Sequence, residues 1–286
     1  MTIGQALSRA REILIANTIE DAHLESELLL RHVLKISRVQ LYLELERELG
    51  PQEEQAFWPL IKRRLNHEPT AYIIGRREFY GLDFYVDPSV LIPRPESELL
   101  VERAIKLAHS HAVSTIAEVG TGCGAIAISL SLSLPQAKIY AIDISASALK
   151  IALSNCQKHG VTDRICFLLG DMLAPLPEPV DLIVANLPYV RESELSQIST
   201  LNFEPALALN GGPDGLEKIR QLCTQISDKL RPGGRLLLEV GQGQRETVTA
   251  LLRSLFPMAD IEVAQDLNGI DRVVSVILPL QWKGDS

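Results

Sequence analysis

At 286 residues, with 46% hydrophobic and 22% charged side chains, the chain can fill one large or two modest cores and has the balance of a soluble globular protein. Its formal net charge of -8 gives no general attraction to phosphate backbones, which argues against a dedicated duplex DNA or RNA binder. Cys123, Cys156, Cys166 and Cys223 have neither C-x-x-C spacing nor an adjacent histidine pair, so neither a zinc site nor a disulfide framework is expected, and the lack of a signal-peptide core or membrane-length apolar stretch points to the cytoplasm.

From Thr2 to about Asn66 the pattern is helical. Ile3, Leu7, Ala10, Ile13 and Leu14 form one stripe, and Leu24, Leu28, Leu29, Val33 and Leu34 a second, with Asp21 as its cap. Gly50-Pro51 interrupts the run before Phe57, Leu60, Ile61 and Leu65. The runs Lys62-Arg63-Arg64 and Arg76-Arg77 are the candidates for a local basic patch, although a short charge run is usually a solvated helix face. Aromatic residues around a glycine in Phe79-Tyr80-Gly81-Leu82-Asp83-Phe84-Tyr85-Val86 predict a β-hairpin. In Leu91-Ile92-Pro93-Arg94-Pro95-Glu96-Ser97-Glu98 the prolines forbid helix before Pro95, which suits the first turn of a helix through Leu99, Val101 and Ile105.

After Ser114 strands and helices alternate. Strands are expected at Thr115–Val119, Lys138–Ile142, Ile165–Leu169, Asp181–Ala185, Arg235–Val240 and Arg272–Leu278. Helices are expected at Ala125–Leu132, Ala146–Lys158, Gly215–Leu230 and Gln244–Phe256. This order predicts an α/β domain with a doubly wound, largely parallel sheet. The expected division is a helical bundle over 1–70, a hairpin linker over 71–95 and the α/β domain over 96–286.

Two sequence elements carry chemistry. Glu118-Val119-Gly120-Thr121-Gly122-Cys123-Gly124 closes the first expected strand of the sheet and opens a helix, and the next strand ends at Asp143, placed to accept hydrogen bonds from ribose hydroxyls. With Ala125 the loop also fits a dinucleotide fingerprint, so a nicotinamide enzyme is a rival reading. Asp171, placed to reach an adenine amino group, and Met172, placed to pack on the ring, favour S-adenosylmethionine. His159 is expected in a solvated position near a helix end.

The second element is Asn186-Leu187-Pro188-Tyr189, at the carboxyl end of the buried run Asp181-Leu182-Ile183-Val184-Ala185. The Asn186 side-chain carbonyl and the Leu187 backbone carbonyl are acceptors, Pro188 keeps Leu187 extended, and Tyr189 supplies a flat face. Two acceptors beside a ring suit a planar –NH2, on an amide or on a nucleobase. Hydride transfer has no evident use for such an element.

These motifs resemble those of class I methyltransferases that modify planar nitrogens. Leu91–Glu98, Phe203-Glu-Pro-Ala-Leu207 and Gly211-Gly-Pro-Asp-Gly-Leu216 look like signatures of the release factor glutamine methyltransferases, and the likeness covers essentially the whole chain. It implies a Rossmann-like methyltransferase domain behind an N-terminal substrate-recognition bundle. It also implies methylation of the glutamine amide nitrogen in the Gly-Gly-Gln motif of peptide chain release factors, with S-adenosylmethionine as cofactor and release factors as protein partners. No metal and no direct nucleic acid contact are implied. Carried over by residue, Glu118 and Gly120 to Gly124 with Asp143 would hold the methionine and ribose portions, and Asp171-Met172 the adenine. Asn186 to Tyr189 would hold the glutamine, with Asn186 also beside the cofactor. Leu187 stands where Pro is usual, Met172 where an aromatic is common, and Ser97 where Thr is frequent. A nucleic acid methyltransferase acting on an exocyclic amino group is the alternative. The polar Val190 to Gly212 segment is long enough for a substrate lid.

Overall fold

The computed structural model describes residues 1–195 and 203–280. The chain divides into two units, Met1–Arg76 and Arg77–Ser286.

The first unit is helical: α1 (Ile3–Ala16), α2 (Ala22–Leu34), α3 (Arg38–Leu43), α4 (Pro51–Leu65) and α5 (Thr70–Ile74). Capping boxes start α1 at Thr2 with Gln5 and α3 at Ser37 with Gln40, satisfying N–H groups that a helix start leaves open. Asp21 stands at the α2 N-cap but makes no capping bond. Ile3, Leu7 and Leu14 of α1 meet Leu29 and Leu30 of α2 and Phe57 and Ile61 of α4 in one core. The α2 stripe differs from the expected one: Leu24 is 48% exposed, and Ala22, Ser26 and Glu27 are buried instead. The cause is Glu27, which accepts hydrogen bonds from Arg11, Arg38 and Tyr42 and so turns a polar side chain inward. The basic run of α4 is likewise only partly a solvated face, because Arg64 is buried and paired with Glu25.

The second unit carries the hairpin β1 (Arg76–Phe79) and β2 (Leu82–Tyr85), then α6 (Glu98–Ser110) after a single 3-10 turn at Pro95–Ser97. There follow β3 (Thr115–Val119), α7 (Ala125–Ser133), β4 (Lys138–Asp143), α8 (Ala146–Lys158), β5 (Ile165–Leu169), β6 (Val180–Ala185), α9 (Glu192–Leu195), α10 (Glu217–Cys223), β7 (Leu230–Glu239), α11 (Arg245–Leu255), β8 (Asp260–Gln265) and β9 (Asp271–Ile277). The sheet order is β5-β4-β3-β6-β7-β9-β8, parallel through β7 and antiparallel in its last two pairings. The doubly wound, mostly parallel sheet read from the sequence is present. Leu182, Ile183 and Val184 of β6 are fully buried, each contributing about 1.5–3 kcal/mol of burial.

Strand β8 and the short α10 depart from expectation. In β8, Ile261 and Val263 are only half-buried between exposed polar residues, which left a weak apolar signal. Helix α10 stops at Cys223, where the Thr224 hydroxyl bonds back to the Gln221 carbonyl at 2.8 Å and the chain tightens into turns. His159 does cap α8, but its ring packs on Phe84 with centroids 5.1 Å apart and its Nε2 meets the Asp83 carbonyl at 3.0 Å. Among the described residues no helix is long and apolar enough to cross a membrane.

Candidate active site

Strand order reverses between β3 and β6, where open α/β sheets form a crevice at the carboxyl ends of their strands. A cleft open to solvent lies there. Gly120 and Gly122 after β3, Asp143 at the end of β4, Asp171 and Met172 after β5, and Asn186, Leu187 and Pro188 after β6 all line it. A neighbouring pocket shares Gly120, Gly122 and Asn186 and reaches Glu118, Thr121 and Cys123. Residues from four separate loops thus converge.

The glycine loop is held from below. Glu118 is buried and accepts from the Thr121 hydroxyl at 2.5 Å and the Ala127 N–H at 3.0 Å, so it ties the loop to the start of α7. Burial pushes its carboxyl up to about 8 against these hydrogen bonds. Cys123 is buried too, its thiol pushed up to about 12 by desolvation. Asp143 accepts from the Gly122 N–H at 2.8 Å and the Ser145 N–H at 2.9 Å. Burial raises its pKa, opposed by the backbone bonds of Ser145 and Gly122. Asp143 therefore shapes the loop as well as facing the cleft. At Gly122, φ is +57° and an added Cβ would meet nothing within 4 Å, so the backbone borders open space that a bound molecule can approach closely.

Asp171 is steadied by Gln221 of α10, which donates to its Oδ2. Met172 adopts φ +48°, a left-handed conformation unusual for a long side chain, and is 8% exposed.

Asn186 donates through Nδ2 to the Ser97 hydroxyl at 3.0 Å. Leu187 is 4% exposed and packs into the sheet's core, so its bulk lies under the glycine loop while its backbone continues along the cleft. Tyr189 does not line either cavity. Its ring lies against Gly241, and burial pushes its hydroxyl up to about 12, with the Glu239 charge adding to the rise. Glu239, buried at the end of β7, is pushed up to about 7 by desolvation, opposed by hydrogen bonding from Ser97, the Arg272 charge and Asn186.

The signature segments brace this arrangement. Glu204 is buried, accepts the Ile92 N–H at 3.0 Å and pairs with Arg94, clasping residues 91–94 to 203–205, and Leu91 and Pro205 both border the cleft. Glu98 accepts the Tyr80 N–H at 2.9 Å, and Glu96 approaches Arg272 at 3.9 Å. A Cβ at Gly211 would lie 2.8 Å from both the Pro188 carbonyl oxygen and the Tyr189 Cα, so only glycine allows this close approach. The ends of the Val190–Gly212 segment meet in a bridge between Val190 and Asn210, while 196–202 lie outside the described residues.

Sequence reasoning missed Asn155, Gln221 and Glu239, and it singled out Glu204 only as part of the Phe203–Leu207 signature. Each is an isolated polar residue within a helix, loop or strand, and only tertiary packing gives it a partner.

Residues 5–75 match the PrmC N-terminal domain family, and residues 110–275 match a methyltransferase domain family. A protein named release factor glutamine methyltransferase from Moorella thermoacetica is 42% identical over 274 residues, covering 95% of this chain and 97% of that one. The chain belongs to the release factor glutamine methyltransferase family. A Geobacter sulfurreducens protein of the same name is 41% identical over 276 residues, covering 96% and 95%. The crystal structure of a methyltransferase from Pyrococcus furiosus aligns over 70% of this chain and 90% of its own at a TM-score of 0.52 and 16% identity, a likeness of fold. The chain is an enzyme of the methyltransferase class, and the dehydrogenase reading of its glycine loop falls away.

Proposed function

We propose that this protein transfers a methyl group from S-adenosylmethionine to the side-chain amide nitrogen of the glutamine in the Gly-Gly-Gln motif of peptide chain release factors, in the cytoplasm. The observation that carries the reading is Asn186 at the cleft with its Nδ2 already donating to Ser97, which leaves Oδ1 as an acceptor. Relatives of nearly full-length coverage that bear the release factor name support the substrate.

The cleft suits the cofactor. Gly120 and Gly122 allow a close backbone approach, Asp143 offers carboxylate oxygens for ribose hydroxyls, Asp171 an acceptor for an adenine amino group, and Met172 an apolar side chain. Glu118 and Cys123 act from beneath, through the shape of the loop. When bound, S-adenosylmethionine supplies an electrophilic methyl group on its sulfonium.

A glutamine amide nitrogen is a poor nucleophile because its lone pair is delocalised into the carbonyl. Asn186 Oδ1 and the Leu187 carbonyl accept its two N–H bonds, fix its direction and favour the positive charge that develops on it, which is discharged when one of these N–H protons leaves to water. Such orientation contributes several kcal/mol, roughly up to ten in well-aligned systems. The carbonyl at 187 is a backbone group, so leucine serves as proline does. Pro188 holds the turn, and Tyr189 with Gly211 buttresses it. The helical unit Met1–Arg76 recognises the protein substrate, because one glutamine side chain carries too little information for specificity.

Incubation with methyl-labelled S-adenosylmethionine and either a release factor or DNA tests this. Label on the Gly-Gly-Gln glutamine, lost when that residue is replaced, is expected. Label on nucleic acid overturns the reading.

A further inference from the structure

Asn186 and Glu239 are neighbours by register: Ala185 of β6 faces Leu238 of β7, so the next residue of each strand falls side by side. The Glu239 side chain is 3% exposed, and its Oε2 has no hydrogen-bond partner among the described residues. Among those residues no ion pair includes it. Arg272, the nearby cation, pairs with Asp266 at 3.0 Å and approaches Glu96 at 3.9 Å. The Ser97 and Asn186 side chains lie beside the Glu239 carboxylate and favour its ionised form, and its charge reaches the Tyr189 hydroxyl. A buried acid without an ion pair costs stability, so its presence calls for another use.

We propose that Glu239 is a positioning residue that fixes the orientation of the Asn186 carboxamide, as the terminal acceptor of a hydrogen-bond chain running from Asn186 through Ser97. The inference rests on the methyl-transfer reading above. Its logic is directional. Ionised, as Glu239 is above about pH 7, a carboxylate only accepts. When Ser97 gives its single hydroxyl hydrogen to Glu239, its oxygen can only accept from Asn186, whose Nδ2 lies 3.0 Å away. Nδ2 is then committed to the Ser97 side, and Oδ1 turns to the opposite side, where a substrate –NH2 needs an acceptor. A half-turn of the carboxamide keeps its shape but presents a donor to a donor. Neither Pro188 nor the strand backbone distinguishes these two orientations, whereas an acid at the end of the chain does.

Glu239→Gln in the full-length protein tests this, because the glutamine keeps the shape yet can donate to Ser97 and let the chain run backward. In the wild type, the Asn186 side-chain amide is expected to show nuclear Overhauser contacts to Ser97 and slow hydrogen exchange. In Glu239→Gln these are lost, S-adenosylmethionine affinity by calorimetry stays within about twofold, and single-turnover methyl transfer falls by roughly tenfold or more. Ser97→Ala, which cuts the chain without touching the acid, gives the same amide and rate changes. The double variant loses no more than the worse single one within about twofold, because both remove one chain. Unchanged Asn186 amide signals in Glu239→Gln, or rate losses that multiply, overturn the proposal. A wild-type protein that methylates no release factor contradicts the functional reading instead, and the amide signals still decide the role of Glu239.

Discussion

Asp143 shows how one side chain can serve two ends. Its carboxylate accepts the Gly122 and Ser145 N–H groups and also faces the cleft. Asp143→Ala leaves both donors unpaired and removes the ribose acceptor. Loss of charged hydrogen bonds worth about 1.5–3 kcal/mol predicts a roughly 10- to 100-fold weaker S-adenosylmethionine affinity by calorimetry. The carboxylate was legible in the sequence from its place after a strand; its grip on the loop was not, because a backbone donor leaves no mark on composition. Cys123 is a second case. It stands in the glycine loop but is buried, with a thiol pushed up to about 12, while Cys166 is exposed. A thiol reagent is therefore expected to modify Cys166 rapidly in the native protein and Cys123, Cys156 and Cys223 only after denaturation.

At the scale of elements, Asn155 of α8 is the clearest tie. Its side chain accepts the Tyr85 N–H at 2.7 Å and donates to the Tyr85 carbonyl at 3.0 Å and the Cys123 carbonyl at 2.8 Å, joining hairpin, helix and glycine loop. It is fully buried. Asn155→Ala strands these groups, at about 1–3 kcal/mol for each left unsatisfied. A net loss of about 3 kcal/mol corresponds to a fall of roughly 6–12 °C in unfolding temperature by calorimetry. The elements themselves were largely readable: the central strands are continuous apolar runs, and β3 lies at Thr115–Val119 where its pattern put it. What escaped was β8, whose polar, half-exposed residues give an outer strand little apolar signal. The α2 stripe was rotated for the opposite reason, since a buried glutamate breaks the rule that the core face is apolar. Gly211 was legible as a motif and acquires its cause from the close approach to Pro188 and Tyr189. Gly211→Ala should displace that turn and lower methyl transfer with little change in cofactor affinity.

Across the whole molecule, burial of acids sets the pH response. Glu118 and Glu239 are pushed up to about 8 and about 7, chiefly by desolvation. The folded chain keeps protons that the unfolded chain has released, so this contribution is complete below the ordinary carboxyl range and is lost progressively as pH rises from about 4.5 to about 8. Asp181 has the opposite sign: burial alone would raise it, but the Ser114 N–H and Arg231 hold it at about 2, so its contribution is present above pH 3.8 and lost as pH falls toward 2. The unfolding temperature should therefore decline from about pH 5 to about pH 8, and Glu118→Gln should flatten that decline. All of this surrounds one claim, that the Asn186 carboxamide accepts from a glutamine –NH2 during methyl transfer. Single-turnover transfer from labelled S-adenosylmethionine to a release factor by Asn186→Ala, measured beside calorimetric cofactor binding, tests it most directly. A rate reduced by roughly 100- to 1,000-fold with near-normal cofactor affinity is predicted. A rate within a few-fold of the wild type contradicts it.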